Sequence, residues 1–582
     1  MFPGLEAFFP SGHIPRRAAP LRREMVRRLL LVALATAFAL TVDAARPGRH
    51  EPQGVHLSLG TRSDELVVGW MTWEDTKRSV VEYASVGSAR VRRAVGASRV
   101  FVDGGPERLV RHLHFVTLRG LEPGARYAYR VGDGSPETMD PPPRFLSFPS
   151  FRFRFRFGSR SRTQPSSRDD PSPRWSPRFE FRAKRSRAQI AAGPPLTFIA
   201  LCDAGHLDSA PVLSAIASEI EADPPDAVLH CGDLAYDLDT SDGRNGDAWM
   251  RDVEPIAARV PYMLSAGNHE RAYNFSHYRA RFATPGEGVR SENHYYSFDL
   301  GPAHVVTYNA EAFFWPQYFD AAYVHRMRAW LDDDLRAANA NREATPWIIL
   351  HAHRPMYCVR ADDADRAPAR KHPQLRGRCG WEQEAARLGV MTACEGDAYA
   401  AAGCAPARVA VPEEAERGTS IDGEKIEEPA RVEELLYRHG VDVAFFGHVH
   451  DYERYYPVYD EVTVNGTSVT FDRYVQPRAT VHVTTGSGGN EEMKKPRGGG
   501  SIPRGRCVDS APWCAFQSGH APKNGQVADF TYSRVVVRDA TTLEWTQMSA
   551  TGGGDATPID RFVVEAPTHG SFERFVDDVA SS

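Results

Sequence analysis

Ala227-Val-Leu-His-Cys231-Gly-Asp233-Leu-Ala-Tyr236 is the stretch that decides the fold. It opens as an apolar run interrupted only by a histidine. A continuous run, rather than an alternating one, is the pattern of a strand buried on both faces. It stops at a glycine, and an acidic residue and a tyrosine follow at once. Working outward, the pattern returns four times. Thr197-Phe-Ile-Ala-Leu201 runs into Cys202-Asp203-Ala204-Gly205. Pro261-Tyr-Met-Leu-Ser265 runs into Ala266-Gly267-Asn268-His269-Glu270. Trp347-Ile-Ile-Leu350 runs into His351-Ala352-His353-Arg354-Pro355. Val441-Asp-Val-Ala-Phe-Phe446 runs into Gly447-His448-Val449-His450-Asp451. Helical patterns lie between them. Residues 208–222 carry Pro211 in the first turn and Val212, Leu213, Ile216 and Ile220 on one face. Residues 324–340 form another, and 430–439 a third that stops at Gly440. Buried strands alternating with amphipathic helices predict an α/β domain. In such sheets the residues after the C-terminal strand ends line the ligand crevice. If these strands are neighbours, their polar ends converge.

The flanks read differently. From about residue 50 to 132, Leu66–Trp73, Ser79–Tyr83 and Arg126–Val131 are short strands between turns, with a closing strand at Arg178–Arg182. They predict a small all-β sandwich with Trp70, Trp73, Tyr127 and Tyr129 in its core. A Pro-, Ser-, Arg- and Phe-rich insert interrupts it at about 134–174, and residues 152–187 hold 12 basic and 3 acidic side chains. This reads as a surface loop or an artefact of the gene model, with a polyanion-binding arm as the functional alternative. The predicted order is an N-terminal extension and signal peptide over 1–44, a sandwich over 50–190, an α/β domain over 195–500 with a polar insertion at about 359–428, and completing strands over 525–565.

Across 582 residues the chain is 42% hydrophobic and 25% charged with a net charge of −5, which excludes global disorder and is not the balance of a dedicated nucleic-acid binder. Residues 29–40 are apolar except Thr36, too short to span a bilayer, preceded by Arg22, Arg23, Arg27 and Arg28 and followed by Val42-Asp43-Ala44. That is a signal peptide cut after Ala44, with Met25 as an alternative start. The expected location is extracellular or in an endomembrane lumen, with no membrane span once the signal is removed. Secretion makes Cys358–Cys379, Cys394–Cys404 and Cys507–Cys514 expected local bridges, while Cys202 and Cys231, at the ends of apolar runs, read as buried thiols. Asn274 and Asn465 head glycosylation sequons.

The donors after the five runs are Asp203, Asp233, Tyr236, Asn268, His353, His448 and His450. Seven oxygen and nitrogen donors exceed the needs of one four-coordinate zinc and suit two metals sharing a carboxylate. His448 and His450, two apart on a loop, can reach different ions. His351 competes with His353 for a ligand place.

This set resembles the metallophosphoesterases, and Tyr236, three residues after Asp233, resembles the purple acid phosphatase family in particular, nearest its iron/zinc, acid phosphatase type 7-like branch. The likeness continues through Asn268–Phe282, Tyr296–His304, His353–Cys358, Gly447–Arg454, Gly486–Gly489 and Tyr532–Arg534. It implies an α/β metallophosphoesterase sandwich of mixed β-sheets flanked by helices, preceded by a fibronectin-III-like β-domain. It also implies a ferric ion on Asp203, Tyr236 and His450. A divalent partner (zinc, iron or manganese) is implied on Asn268, His353 and His448, with Asp233 bridging. His269 is the implied catalytic group beside the substrate phosphate. The implied function is a secreted acid phosphatase that hydrolyses phosphate monoesters by attack of a metal-activated hydroxide. A phosphate ester is the expected partner, nucleic acid is not, and a homodimer is an admissible assembly. The alternatives are a phosphodiesterase or nucleotide hydrolase on the same centre, and a non-catalytic secreted polyanion-binding protein. Two departures stand out. Cys202 replaces the family's usual glycine, where a side chain would disturb the turn presenting Asp203. The family's further substrate histidines have only His372 as a candidate here.

Overall fold

The computed structural model describes residues 48–136, 174–359, 381–389, 420–421, 424–425, 431–464, 466–494, 504–507, 511–518, 529–552 and 555–573. The segment expected to be a signal peptide, most of the basic insert, His372, Cys379, Cys394, Cys404 and Asn465 lie outside them. Among the described residues, no helix is long and apolar enough to cross a membrane.

The N-terminal region is all β. Its strands are β1 (Gln53–Leu59), β2 (Leu66–Thr72), β3 (Ser79–Ser85), β4 (Arg92–Val102), β5 (Val110–Leu118), β6 (Arg126–Gly132) and β7 (Phe179–Arg182), in the order β1-β2-β5-β4-β3-β6-β7. β4 serves both layers: its first half pairs with β3 and its second half with β5. Gly96 sits at the changeover, where a side chain would run into the Phe115 carbonyl. The two layers meet through Leu57, Val68, Trp70, Val81, Tyr127, Tyr129 and Phe181. Trp73 differs from the other three aromatics expected in the core. It is half-buried beneath the Arg111 guanidinium.

β8 (Leu196–Leu201) starts the α/β region. It runs parallel to the strand Ala227–His230, which is parallel to Tyr262–Leu264. On its other side the C-terminal strands Thr531–Val537, Thr542–Ser549 and Thr557–Glu565 add antiparallel. A second sheet holds Ala303–Tyr308, Trp347–His351, Val443–Phe446 and Val481–Thr485, all parallel. The five ligand-bearing runs are therefore shared between two sheets, three in one and two in the other.

The unbroken hydrophobicity of the runs now has its cause. Phe198 and Ala200 of β8 face the core between the sheets, with Ile349, Phe445, Val483 and Val535. Ile199 and Leu201 face the helices, with Ile216, Ile220 and Trp249. Each fully buried side chain of this kind contributes about 1.5–3 kcal/mol. The helix Ala210–Ala222 carries Pro211 in its first turn, and Val432–His439 stops at Gly440 in the left-handed region. Ala321–Ala340 begins earlier than its apolar pattern, because the Asp320 side chain accepts from the Tyr323 N–H and caps it.

The sandwich is tied to the α/β region by a buried charge cluster. Arg111 of β5 and Arg281 each lie 2.8 Å from Asp247, and His277 lies 2.7 Å from Asp103. Two carboxylates face two guanidiniums. Burial, with Arg281 and Arg111 adding to it, pushes His277 down to about 2 and keeps it neutral.

One ion pair on the second sheet makes stability depend on pH. His304 lies 2.9 Å from Asp299 and 2.9 Å from Asp334. Burial opposes the charge, but the two carboxylates outweigh it and raise His304 to about 9. The folded value exceeds the unfolded one, so the stabilisation is complete below about pH 6.5 and is lost as pH rises through about 9. His304→Gln is expected to lower the melting temperature by a few degrees in acid, from a loss of about 2 kcal/mol once the exposure of Asp299 is allowed for. The gap to the native protein should close in alkali. A gap of equal size at both ends of the pH range would refute this account.

Candidate metal centre

Each of the donors sits at or just beyond the end of a buried strand, and at four of them the backbone departs from ordinary geometry. Asp203 (φ 59°), Asp233 (φ 54°), Tyr236 (φ 54°) and His448 (φ 66°) all lie in the left-handed region. For residues with a Cβ this is uncommon and is retained where surrounding contacts impose it. Two glycines make room for the turns. A side chain at Gly267 would collide with Asp233, and one at Gly447 with Asp203.

The turns bring together two groups of ligand atoms, each within 4.8 Å: Asp233, His353 and His448 in one, and Asp203, Asp233 and His450 in the other. Asp233 belongs to both. Tyr236 joins the second group, its hydroxyl donating to Asp203 Oδ1 (3.1 Å) and lying 2.7 Å from His450 Nε2. Asn268 joins the first, its Oδ1 lying 3.0 Å from His353 Nε2 and 2.9 Å from His448 Nδ1. His448 and His450 thus go to different groups. His351 goes to neither: it is stacked on Phe445 in the inter-sheet core, 5.2 Å between ring centres.

The donor chemistry fits two cations. Burial, with Asp233 adding to it, pushes Asp203 up to about 7. Asp233 is itself held well below the carboxylate range, because His353 and His269 outweigh its burial. The same carboxylates raise His353 to about 10 against its own burial. A buried pocket whose acids draw protons onto its imidazoles is one that favours positive charge.

His269 lies beside the shared carboxylate. Its backbone N–H donates to Asp233 Oδ1 (3.0 Å), its Nδ1 lies 2.9 Å from Asp237, and its Nε2 lies 3.9 Å from Asp233 Oδ2. Asp233 and Asp237 overcome burial and raise it to about 9. Asn274 is half-buried a turn further on, at φ 57°.

Several supporting residues had no assigned role in the sequence. Glu270 accepts the backbone N–H groups of Gly267 (2.7 Å), Asp233 (2.9 Å) and Leu234 (2.8 Å), so one carboxylate shapes two ligand loops. Its place directly after Asn268-His269 was the available signal. Asn490 donates to the Tyr236 hydroxyl (2.7 Å), and it follows the glycine run 486–489. The Arg354 guanidinium lies 3.1 Å from His448 Nε2 and donates to Glu311 (2.7 Å). Nothing near Glu311 in the chain announces that contact.

The cysteine expectation is overturned. Cys202 and Cys231 form a disulfide rather than two buried thiols. They lie opposite each other on adjacent strands, a relation that separate apolar runs cannot reveal. The Cys202 side chain therefore cross-links the turn before Asp203. Cys507–Cys514 is bridged as expected, and Cys358 is also in a disulfide.

Comparison with known proteins places this geometry. Residues 52–146 match the family described as Purple acid Phosphatase, N-terminal domain. Residues 203–387 match Calcineurin-like phosphoesterase, and 479–560 match Iron/zinc purple acid phosphatase-like protein C. Human acid phosphatase type 7 is 33% identical over 522 residues, covering 90% of this chain and 92% of that protein. The chain belongs to the purple acid phosphatase family. It is an acid phosphatase of the metallophosphoesterase type. Mouse acid phosphatase type 7 is 32% identical, covering 89% of this chain and 93% of its own. Purple acid phosphatase 22 of Arabidopsis thaliana is 26% identical, covering 77% and 75%. The fold is shared with a purple acid phosphatase from yellow lupin (Lupinus luteus) seeds, at a TM-score of 0.56 and 19% identity, covering 89% of this chain and 75% of that one. Membership also makes a dinuclear centre the natural reading of the two ligand groups.

Proposed function

We propose that this protein is a secreted enzyme that hydrolyses phosphate monoesters at a dinuclear centre made of a ferric ion and a divalent ion of zinc, iron or manganese. Asp203, Tyr236 and His450 hold the ferric ion. Asn268, His353 and His448 hold the divalent ion, and Asp233 bridges. The observation that carries this reading is the membership of Asp233 in both ligand groups, with the Tyr236 hydroxyl on one side and the Asn268 amide on the other. When bound, two such ions clamp the ester oxygens and lower the pKa of water enough for attack below neutral pH.

The protein's own groups do the rest. His353 Nδ1 donates to the Cys231 carbonyl (2.9 Å), which aims Nε2 at the site. Arg354 lies against the other edge of His448, 3.1 Å from Nε2, and the ring turns Nδ1 toward Asn268. Asn490 donates to the Tyr236 oxygen and favours its phenolate. His269, held at Nδ1 by Asp237, keeps a proton in acid and delivers it to the leaving alkoxide. Secretion is supported by the apolar segment 29–40 and by the disulfides. Glycosylation at Asn274 and Asn465 belongs to the same reading.

The test is the visible spectrum of the purified protein without added metal, together with rates on an aryl phosphate monoester and the matching diester in acid. A broad visible band that reduction bleaches, and that Tyr236→Phe abolishes, is expected, with the monoester preferred. A colourless native protein holding two metals, with the diester preferred, would replace this reading by a diesterase on divalent ions.

A further inference from the structure

Cys202 and Cys231 occupy matching places on neighbouring parallel strands. The register pairs Leu201 with His230, and the next pair along is Cys202 with Cys231. Beyond it the Asp203 N–H donates to the Gly232 carbonyl (3.1 Å), and the two loops pair again as short parallel segments, Leu234 with Ala204 and Ala235 with Gly205. The disulfide therefore ties together the ends of the two main strands, at the start of the loops that carry Asp203 and Asp233. Both cysteines are fully buried.

The cross-link also touches the rest of the centre. The Cys231 carbonyl accepts from His353 Nδ1 (2.9 Å). The Cys202 carbonyl accepts from the Gly488 N–H (3.1 Å), two residues before Asn490. Gly447, which precedes His448, packs so closely that an added Cβ would lie 2.8 Å from the Cys202 Cβ. Segments from both sheets thus rest on one covalent bridge.

Such a bridge meets a specific physical need. Asp203 and Asp233 are buried carboxylates with oxygen atoms in one 4.8 Å group. Without cations they repel each other at low dielectric. Both also sit at positive φ, from which a side-chain-bearing residue relaxes unless it is held. Repulsion and backbone relaxation both act to part the loops, and beyond the cysteines only the short pairing of Ala204–Gly205 with Leu234–Ala235 opposes them.

We propose that the Cys202–Cys231 disulfide is a positioning element of the metal centre: it holds the Asp203 and Asp233 loops in ligand geometry whether or not metal is bound, and so slows metal loss. The proposal rests on the metal centre inferred above.

The test compares the native protein with C202A/C231A, which removes both sulfurs and leaves no thiol to act as a new ligand. C507A/C514A, which removes a disulfide elsewhere, is the control. Metal released into a chelator is followed with the visible band. C202A/C231A is expected to lose metal about 10–100-fold faster than the native protein, and the control to match the native rate. A merely structural cross-link would lower the melting temperature and leave the rate of metal loss unchanged, which would overturn the proposal. Hydrogen exchange on metal-stripped native protein needs no variant. The amides of 203–205 and 232–236 should keep their protection, and its collapse with the disulfide intact would also overturn the proposal. A native protein that takes up no metal would overturn the metal centre itself, and this inference with it.

Discussion

Asp233→Asn is expected to abolish catalysis, with kcat/KM falling by about 10³-fold or more and both metals lost together. The substitution is nearly isosteric, so the effect is one of charge. Among the described residues, Asp233 alone belongs to both ligand groups, and it is 1% exposed. An amide there removes a negative charge that each group needs and turns two oxygen ligand positions into one. The surrounding cationic groups, His353 and His269, would then face an uncharged neighbour. The Glu270 carboxylate keeps this backbone in place by accepting the N–H groups of Asp233 and Leu234, so the fold should survive. Metal analysis and circular dichroism on the same sample check both halves. A variant that retains one full equivalent of metal and measurable turnover would show that Asp233 does not bridge.

His269→Ala should give the next largest loss, about 10²–10⁴-fold in kcat, with metal content and the visible band retained. This pattern separates a proton donor from a ligand. His269 contacts the centre through its backbone N–H, which alanine keeps, and through a ring that lies 3.9 Å from Asp233 at its nearest salt-bridging atom. The pH profile supplies the sign. Asp233 and Asp237 raise His269 to about 9 against its burial, so it is protonated in acid, and a bound cation would move it downward. Native activity should therefore fall as pH rises through the His269 value, and that alkaline limb should flatten in His269→Ala. A variant with an unchanged limb would assign the proton to another group.

The strands and their polar ends were legible for a local reason. In β8 the apolar run and Asp203 are nearly consecutive, so one glance at the chain shows both the buried segment and what it presents. The same holds for Asp233, Asn268 and His448. Helices were legible through their faces, as Val212, Leu213, Ile216 and Ile220 show. Local signals also misled. Cys202 and Cys231 are 29 residues apart and each looks like a core thiol in its own run; only their register makes them a bridge. His351 and His353 are equivalent by spacing. The strand ends at His351, which leaves that ring against Phe445 in the inter-sheet core, while the chain turns and carries His353 into the site.

By itself, then, the amino-acid order determined the alternation of buried strands and helices, the all-β region before them, and the donors Asp203, Asp233, Tyr236, Asn268, His353, His448 and His450 as candidates. These depend on neighbours in the chain, through periodicity and strand termination. Tertiary structure alone decided that the donors come from two sheets, that Glu311 braces Arg354 and that Asn490 meets Tyr236. Those relations join residues distant in the chain. Their energy comes from burial and pairing across the fold, which no run of consecutive residues encodes.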